Sequence, residues 1–166
     1  MSRSDLKVEA RGETELVISR TFNAPVETVF EAHTKPELVR QWLLGPDGWT
    51  MPVCEIDLRV GGKYRYVWAK EKTGEEMGMG GEFEEVDKPN GYVATEKFDQ
   101  SWYPGVAVST MTFQDRGGKT AFQNVMKYGS REAREAVLAS PMDEGLSVGY
   151  DRLEALLSSH ALAAGE

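Results

Sequence analysis

The chain contains a single cysteine, Cys54, among its 166 residues. No intramolecular disulfide can form, which suits a reducing compartment. Cys54 lies in the strand-like "MPVCEIDL" with no histidine placed near it, so it reads as a buried structural thiol. Basic runs are missing too: 19 Lys and Arg stand against 27 Asp and Glu, giving a net charge of −8. That balance argues against nucleic acid and anionic membrane as partners. No stretch approaches the ~18 consecutive apolar residues of a membrane span, and no basic leader with an apolar run opens the sequence. A cytoplasmic location is expected.

Chemical signatures are equally sparse. The two histidines, His33 and His160, fall at the ends of different helical stretches, without the spacing of a metal site. G-x-S-x-G, H-E-x-x-H, C-x-x-C, a P-loop and a dinucleotide fingerprint are all absent. "GMGG" at 78–81 is followed by strand-like "EFEEV" and reads as a bent or bulged strand. Asp57, Arg59 and Glu96 are the remaining acid–base candidates, with surface salt bridges as the competing reading. No catalytic residue, metal or cofactor is assigned.

What is present reads as an α+β domain. Residues 1–12 are polar and are expected to be a flexible segment, or at most an edge addition to the sheet; residues 13–163 read as one domain. "TELVISRTF" alternates as a first strand. "NAPVETVFEAH" follows as a short helix, with Pro25 in its first turn and Val26, Val29, Phe30 and His33 on one stripe. A second helix is predicted from the capping pattern Thr34-Lys35-Pro36-Glu37, burying Leu38, Val39, Trp42 and Leu43 and stopping at "GPDG". From Trp49 to Tyr128, short runs rich in Val, Tyr, Phe, Trp and Thr are separated by tight turns. They predict an antiparallel meander of five or six strands, six to seven in the whole sheet. "SREAREAVLA" is helical. A long helix then starts at Ser140 and Pro141 with Asp143 in its first turn, placing Met142, Leu146, Gly149, Leu153, Leu156 and Leu157 on one face.

A single helix laid on a curled sheet does not fill the concave side evenly. In "GGKYRYVWAK", Tyr64, Tyr66 and Trp68 share a strand face, as do Phe122, Asn124, Met126 and Tyr128, and Met111 with Phe113. A dry core would be filled more economically by Leu or Val, and buried Tyr, Trp or Asn need partners. An aromatic-lined space with a few polar groups is a common form of small-molecule pocket; a core with hydroxyls at its rim is the alternative. Gly145 and Gly149 border the apolar face of the long helix, at about 1 kcal/mol each against alanine. Close helix-on-sheet packing and room for a ligand both account for them.

"ISRTFNAPVETVFEAHTKPELVRQW", the following Gly45-Pro46, "CEIDLRVGGKYRY", "GEFEEV" and "MDEGLSVGYDRLEALL" occur in the order found in the family of the activator of heat shock protein 90 ATPase homologues. The chain resembles that family, part of the START-like (SRPBCC) superfamily, from about Leu16 to Leu157. The resemblance implies a helix-grip fold: a curved antiparallel sheet around a long C-terminal helix, with two short helices closing one end and an apolar cavity between. It also implies that the aromatics above face the cavity, with Trp42 near its mouth. The chain lacks the additional amino-terminal domain of the eukaryotic co-chaperones, so a chaperone partner is not expected.

The resulting expectation is a non-enzymatic binding protein for an apolar or aromatic small molecule. Its ligand-binding residues are Trp42, Tyr64, Tyr66, Trp68, Phe113, Phe122, Asn124, Met126, Gly145 and Gly149. A polyketide-cyclase-like enzyme using the same cavity, with Arg59 or Glu96 as its titratable group, and a chaperone-activating interaction module are the alternatives. A homodimer through an exposed edge strand stays open.

Overall fold

The structure, a computed structural model, describes residues 6–44, 47–100, 103, 105–140 and 142–164, with backbone alone at 142, 143 and 160–164. The expected stop at Gly45-Pro46, the start at Pro141 with Asp143, and the His160 side chain lie outside the described residues. The elements run β1 (Lys7–Arg11), β2 (Glu15–Phe22), α1 (Val26–Thr34), α2 (Pro36–Trp42), β3 (Trp49–Ile56), β4 (Lys63–Lys70), β5 (Glu76–Asp87), β6 (Gly91–Phe98), β7 (Ala107–Arg116), β8 (Lys119–Lys127), α3 (Arg131–Leu138) and α4 (Met142–Ala164). The strands form one antiparallel sheet in the order β1-β2-β8-β7-β6-β5-β4-β3. β3 to β8 are the meander, and β2 returns to pair with the last strand, from Glu15↔Lys127 to Phe22↔Thr120.

The sheet has eight strands, against six or seven expected. The extra strand is β1, in the segment expected to be flexible or at most an edge addition, and it is the edge addition that forms: Lys7–Arg11 pairs with β2 from Lys7↔Ser19 to Arg11↔Glu15. Both edges carry features that discourage further pairing, alternating charges on β1 and Pro52 with a register shift on β3. The β7–β8 hairpin turns at Gly117 and Gly118, with φ of 66° and 89°. Both central residues thus occupy the left-handed region that a two-residue hairpin of this hand requires. The "GMGG" stretch is in unbroken register with β4, and the bulge falls just after it, between Phe83 and Glu85 on the β6 side. These glycines serve close approach: a Cβ at Gly81 would lie 1.8 Å from the Thr95 carbonyl oxygen.

α1 and α2 join at a corner with only Lys35 between them. The expected cap at Thr34 does not form. Thr34 is still helical, so its hydroxyl donates back to the Phe30 carbonyl at 2.9 Å, and Lys35 takes the N-cap position before Pro36. The Trp42 indole donates to the Ala32 carbonyl at 2.9 Å and ties the two helices. Ser130, by contrast, does cap α3, accepting from the Ala133 amide at 3.1 Å.

α4 crosses the concave face and is fixed through its middle and C-terminal half. Tyr150, Leu153 and Leu157 are buried there. At Gly149 an added Cβ would meet the Trp42 carbonyl oxygen at 3.3 Å, so the glycine lets α4 approach α2 closely. Arg20 of β2 is buried; it donates to Asp151 at 3.0 Å, reaches Glu154 at 3.5 Å, and lies over the Phe22 ring at 5.4 Å. Strand and helix are thereby tied by charge as well as by area.

Because Gly81 has no free space on its Cβ side, Gly81→Ala is expected to destabilise the fold by about 1–3 kcal/mol. Thermal unfolding would register this as a fall in Tm of roughly 2–4 °C per kcal/mol. An unchanged Tm would contradict the close approach of β5 and β6.

Candidate functional site

Between the concave face of the sheet and α4 lies a cavity of about 470 Å³, within the size range of small-molecule sites. Alternation along the strands sets its walls. Tyr64, Tyr66 and Trp68 come from β4, Met77, Met79 and Phe83 from β5, Tyr92, Ala94, Glu96 and Phe98 from β6. Ser109 and Met111 of β7 and Asn124 and Met126 of β8 continue the lining, and Gly145, Leu146 and Tyr150 of α4 close it.

Of the ten residues expected to bind a ligand, seven line this cavity: Trp42, Tyr64, Tyr66, Trp68, Asn124, Met126 and Gly145. Phe122 does not. It packs in the core with Phe22, Phe30 and Phe113 around His33, which stacks on Phe122 at 5.0 Å, meets Phe113 edge-on at 5.1 Å and also reaches the cavity wall. Phe113 borders instead a separate outer groove of about 990 Å³, rimmed by Glu27, Glu85, Asp87 and Asp115. Gly149 is a packing glycine against α2, whereas a Cβ at Gly145 would meet nothing within 4 Å. One glycine therefore answers to packing and the other to space. Trp42 does not sit at a mouth: it is 2% exposed, stacked on Tyr150 at 5.1 Å.

All six tyrosines of the chain line the cavity, with Phe83 and Phe98 beside them, while Phe22, Phe30, Phe113 and Phe122 pack in the core that adjoins it. Tyr64 donates to the Thr95 carbonyl at 2.6 Å, and the Trp68 indole donates to the Leu43 carbonyl at 2.7 Å. The hydroxyls of Tyr66, Tyr92, Tyr128 and Tyr150 have no hydrogen-bond partner among the described residues. Burial, reinforced by neighbouring tyrosines and the charge of Glu96, holds all of these phenols above their ordinary range, so they face the cavity as neutral donors. Asn124 is satisfied in part: Ser109 donates to its Oδ1 at 2.7 Å.

Glu96 is the acid–base candidate that the fold places inside. It keeps partial solvent accessibility, as a residue lining a hollow does, and it makes no salt bridge among the described residues. Burial alone pushes its carboxyl up from 4.5 to about 7. The period-2 pattern Tyr92, Ala94, Glu96, Phe98 carried this orientation in the sequence. Arg59 lies outside, exposed, with its Nε donating to Asp57 at 2.9 Å. Cys54 is buried, and its thiol is pushed up to about 11, Arg40 opposing the effect of burial; it is no nucleophile. His33 donates from Nδ1 to the Val29 carbonyl at 2.8 Å, and burial lowers it to about 4, so it stays neutral, its Nε2 a buried acceptor with no partner among the described residues. Among the described residues no cluster of three or more His, Cys, Asp or Glu could hold a metal, and no helix is long and apolar enough to cross a membrane.

A curved antiparallel sheet gripping a long C-terminal helix over an internal cavity defines the START-like helix-grip class. The chain belongs to the family of the Activator of Hsp90 ATPase homolog 1-like protein, whose model matches residues 23–158. Among solved structures it is similar to a protein from Rhodobacter sphaeroides, with 28% identity and a TM-score of 0.87, covering 93% of this chain and 98% of that one. It is also similar to a protein from Mycobacterium smegmatis, with 28% identity, a TM-score of 0.79 and coverage of 93% and 96%. An Activator of Hsp90 ATPase homolog 1-like protein from Aeromonas hydrophila, 19% identical over 84% of this chain and 93% of its own with a TM-score of 0.66, shares the fold. No curated protein matches the sequence.

The buried carboxyl gives a signed pH dependence. Between about 4.5 and about 7 the folded state keeps a proton on Glu96 that the unfolded chain has released, so this group makes stability fall as pH rises through that window. His33 acts oppositely: below about 6.5 the unfolded chain binds a proton that the folded ring refuses until about 4, so stability falls as pH drops. The two slopes oppose each other in the native protein, and Glu96→Gln separates them. The variant's stability relative to the native protein is expected to be about 2–3 kcal/mol more favourable at about pH 8 than at about pH 5. Denaturant unfolding at the two pH values checks this; a pH-independent difference would mean that Glu96 is solvated.

Proposed function

We propose that the protein binds a small apolar or aromatic molecule in the cavity between the sheet and α4. The observation that carries this reading is the cavity of about 470 Å³ whose wall gathers every tyrosine of the chain, four of them with hydroxyls that have no partner among the described residues. Apolar area supplies affinity at roughly 25 cal/mol per Å² buried. Neutral donors and the Asn124–Ser109 pair supply orientation. The fold class, in which an apolar cavity is common, agrees with this reading without naming the job. The proposed partner is a small molecule rather than nucleic acid, a membrane or a chaperone, and the proposed location is the cytoplasm.

Glu96 supports a second reading, acid–base catalysis on the bound molecule as in a polyketide-cyclase-like enzyme. A carboxyl held near 7 inside an apolar site can both take and give a proton at neutral pH. Product formed from a bound compound by the native protein and not by Glu96→Gln would establish catalysis.

The binding reading is tested by thermal shift against fused-ring aromatics, flavonoids, sterols and fatty acids, with Gly145→Leu as the filled variant. A compound at about 100 times its dissociation constant stabilises by about 2.7 kcal/mol, a shift of roughly 5–11 °C for a domain of this size. Gly145→Leu has open space for its side chain and gains about 1 kcal/mol in helix propensity. It is expected to raise Tm without ligand and to lose the ligand-induced shift. A shift that persists in Gly145→Leu would place binding elsewhere, and no shift with any class would contradict the reading.

A further inference from the structure

Among the described residues, the cavity wall contains one group that ionises to a charge at neutral pH, Glu96, and no lysine or arginine. Its carboxylate has neither a counter-charge nor a hydrogen bond from the described residues, since burial is the only influence acting on it. An unpaired carboxylate in such surroundings is costly to hold, and either a proton or a cation delivered into the site relieves it. The rings around it suit the same guest. Tyr64 and Tyr66 of β4, Tyr92 of β6 and Tyr150 of α4 all feel the Glu96 charge, as do Tyr103 and Tyr128 at the α3 end of the cavity. Aromatic faces attract organic cations, more strongly where water is excluded. A fatty acid or other lipophilic anion would meet one negative group and no positive one.

We propose, on the reading that the cavity binds a small molecule, that its ligand class is lipophilic amines: an apolar or aromatic body bearing one protonated nitrogen, paired with Glu96 inside the tyrosine wall. The body fills the apolar space under Gly145, where nothing lies within 4 Å of an added Cβ, and the ammonium group replaces the missing partner of the carboxylate.

Three probes with one body separate this from general hydrophobic binding: 9-(aminomethyl)anthracene, 9-anthracenemethanol and 9-anthracenecarboxylic acid, titrated by fluorescence and calorimetry. The native protein is expected to bind the amine at least about tenfold tighter than the alcohol, as a partly desolvated ion pair with ring contacts allows, and the acid more weakly than either. Glu96→Gln, which keeps the size of the side chain, is expected to bring the amine-to-alcohol affinity ratio down to about one. Equal binding of amine and alcohol by the native protein, or an amine preference that survives in Glu96→Gln, overturns the inference while leaving the small-molecule reading in place. Tightest binding of the acid overturns it as well. If none of the three binds and the thermal-shift panel is also silent, both readings fall together.

Discussion

The arrangement depends on where α4 is held. Its middle and C-terminal half are fixed by close contact at Gly149 against Trp42, by the buried Tyr150, Leu153 and Leu157, and by the Arg20 pairs to Asp151 and Glu154. A straight helix fixed in this way cannot also follow a sheet that curls away from it. Its earlier part, at Gly145 and Leu146, therefore stands off the strands, and the space beneath is the cavity. Filling it would take bulk at Gly145, and the chain has a residue with no side chain there.

The placement of the aromatic residues follows from the same geometry. Where α1 packs on β7 and β8, Phe30, Phe113 and Phe122 are fully buried, and phenylalanine suits this place because it brings area and no polar atom. His33 is tolerated in that core only as a neutral ring with one nitrogen bonded to its own helix. Where α4 stands away, all six tyrosines join the lining, alongside Phe83 and Phe98. Glu96 is consistent with this placement: a carboxylate is excluded from the phenylalanine core but survives beside an open space, at the expense of a raised pKa.

Much of this was legible in the sequence, because the strongest signals are local. Two-residue alternation gave the inward faces of β4 and β8, turn residues gave the meander, and 3.6-residue spacing gave the buried stripes of α1 and α4. What escaped has specific causes. β1 is short and charged, so its pairing rests on the backbone of β2 rather than on an apolar face. Thr34 matches a capping pattern that lost to continuation of α1. Gly145 and Gly149 occupy equivalent places on a helical wheel, and only the divergence of helix from sheet separates one from the other. Phe113 and Phe122 share a strand face with Met111 and Asn124, but that face passes from core to cavity along its length. Glu96 was readable from the alternation beginning at Tyr92, yet its polar neighbours in "ATEK" make the segment look like a solvated strand.

The central claim is that one carboxyl, without a partner among the described residues, sits in a mostly apolar hollow lined by tyrosines. Its most direct test is the titration of the Glu96 side-chain carboxyl by carbon-13 NMR in the native protein, assigned with Glu96→Gln. The account predicts a midpoint near 7. A midpoint near the ordinary 4.5 would show Glu96 to be solvated or paired, and would contradict it.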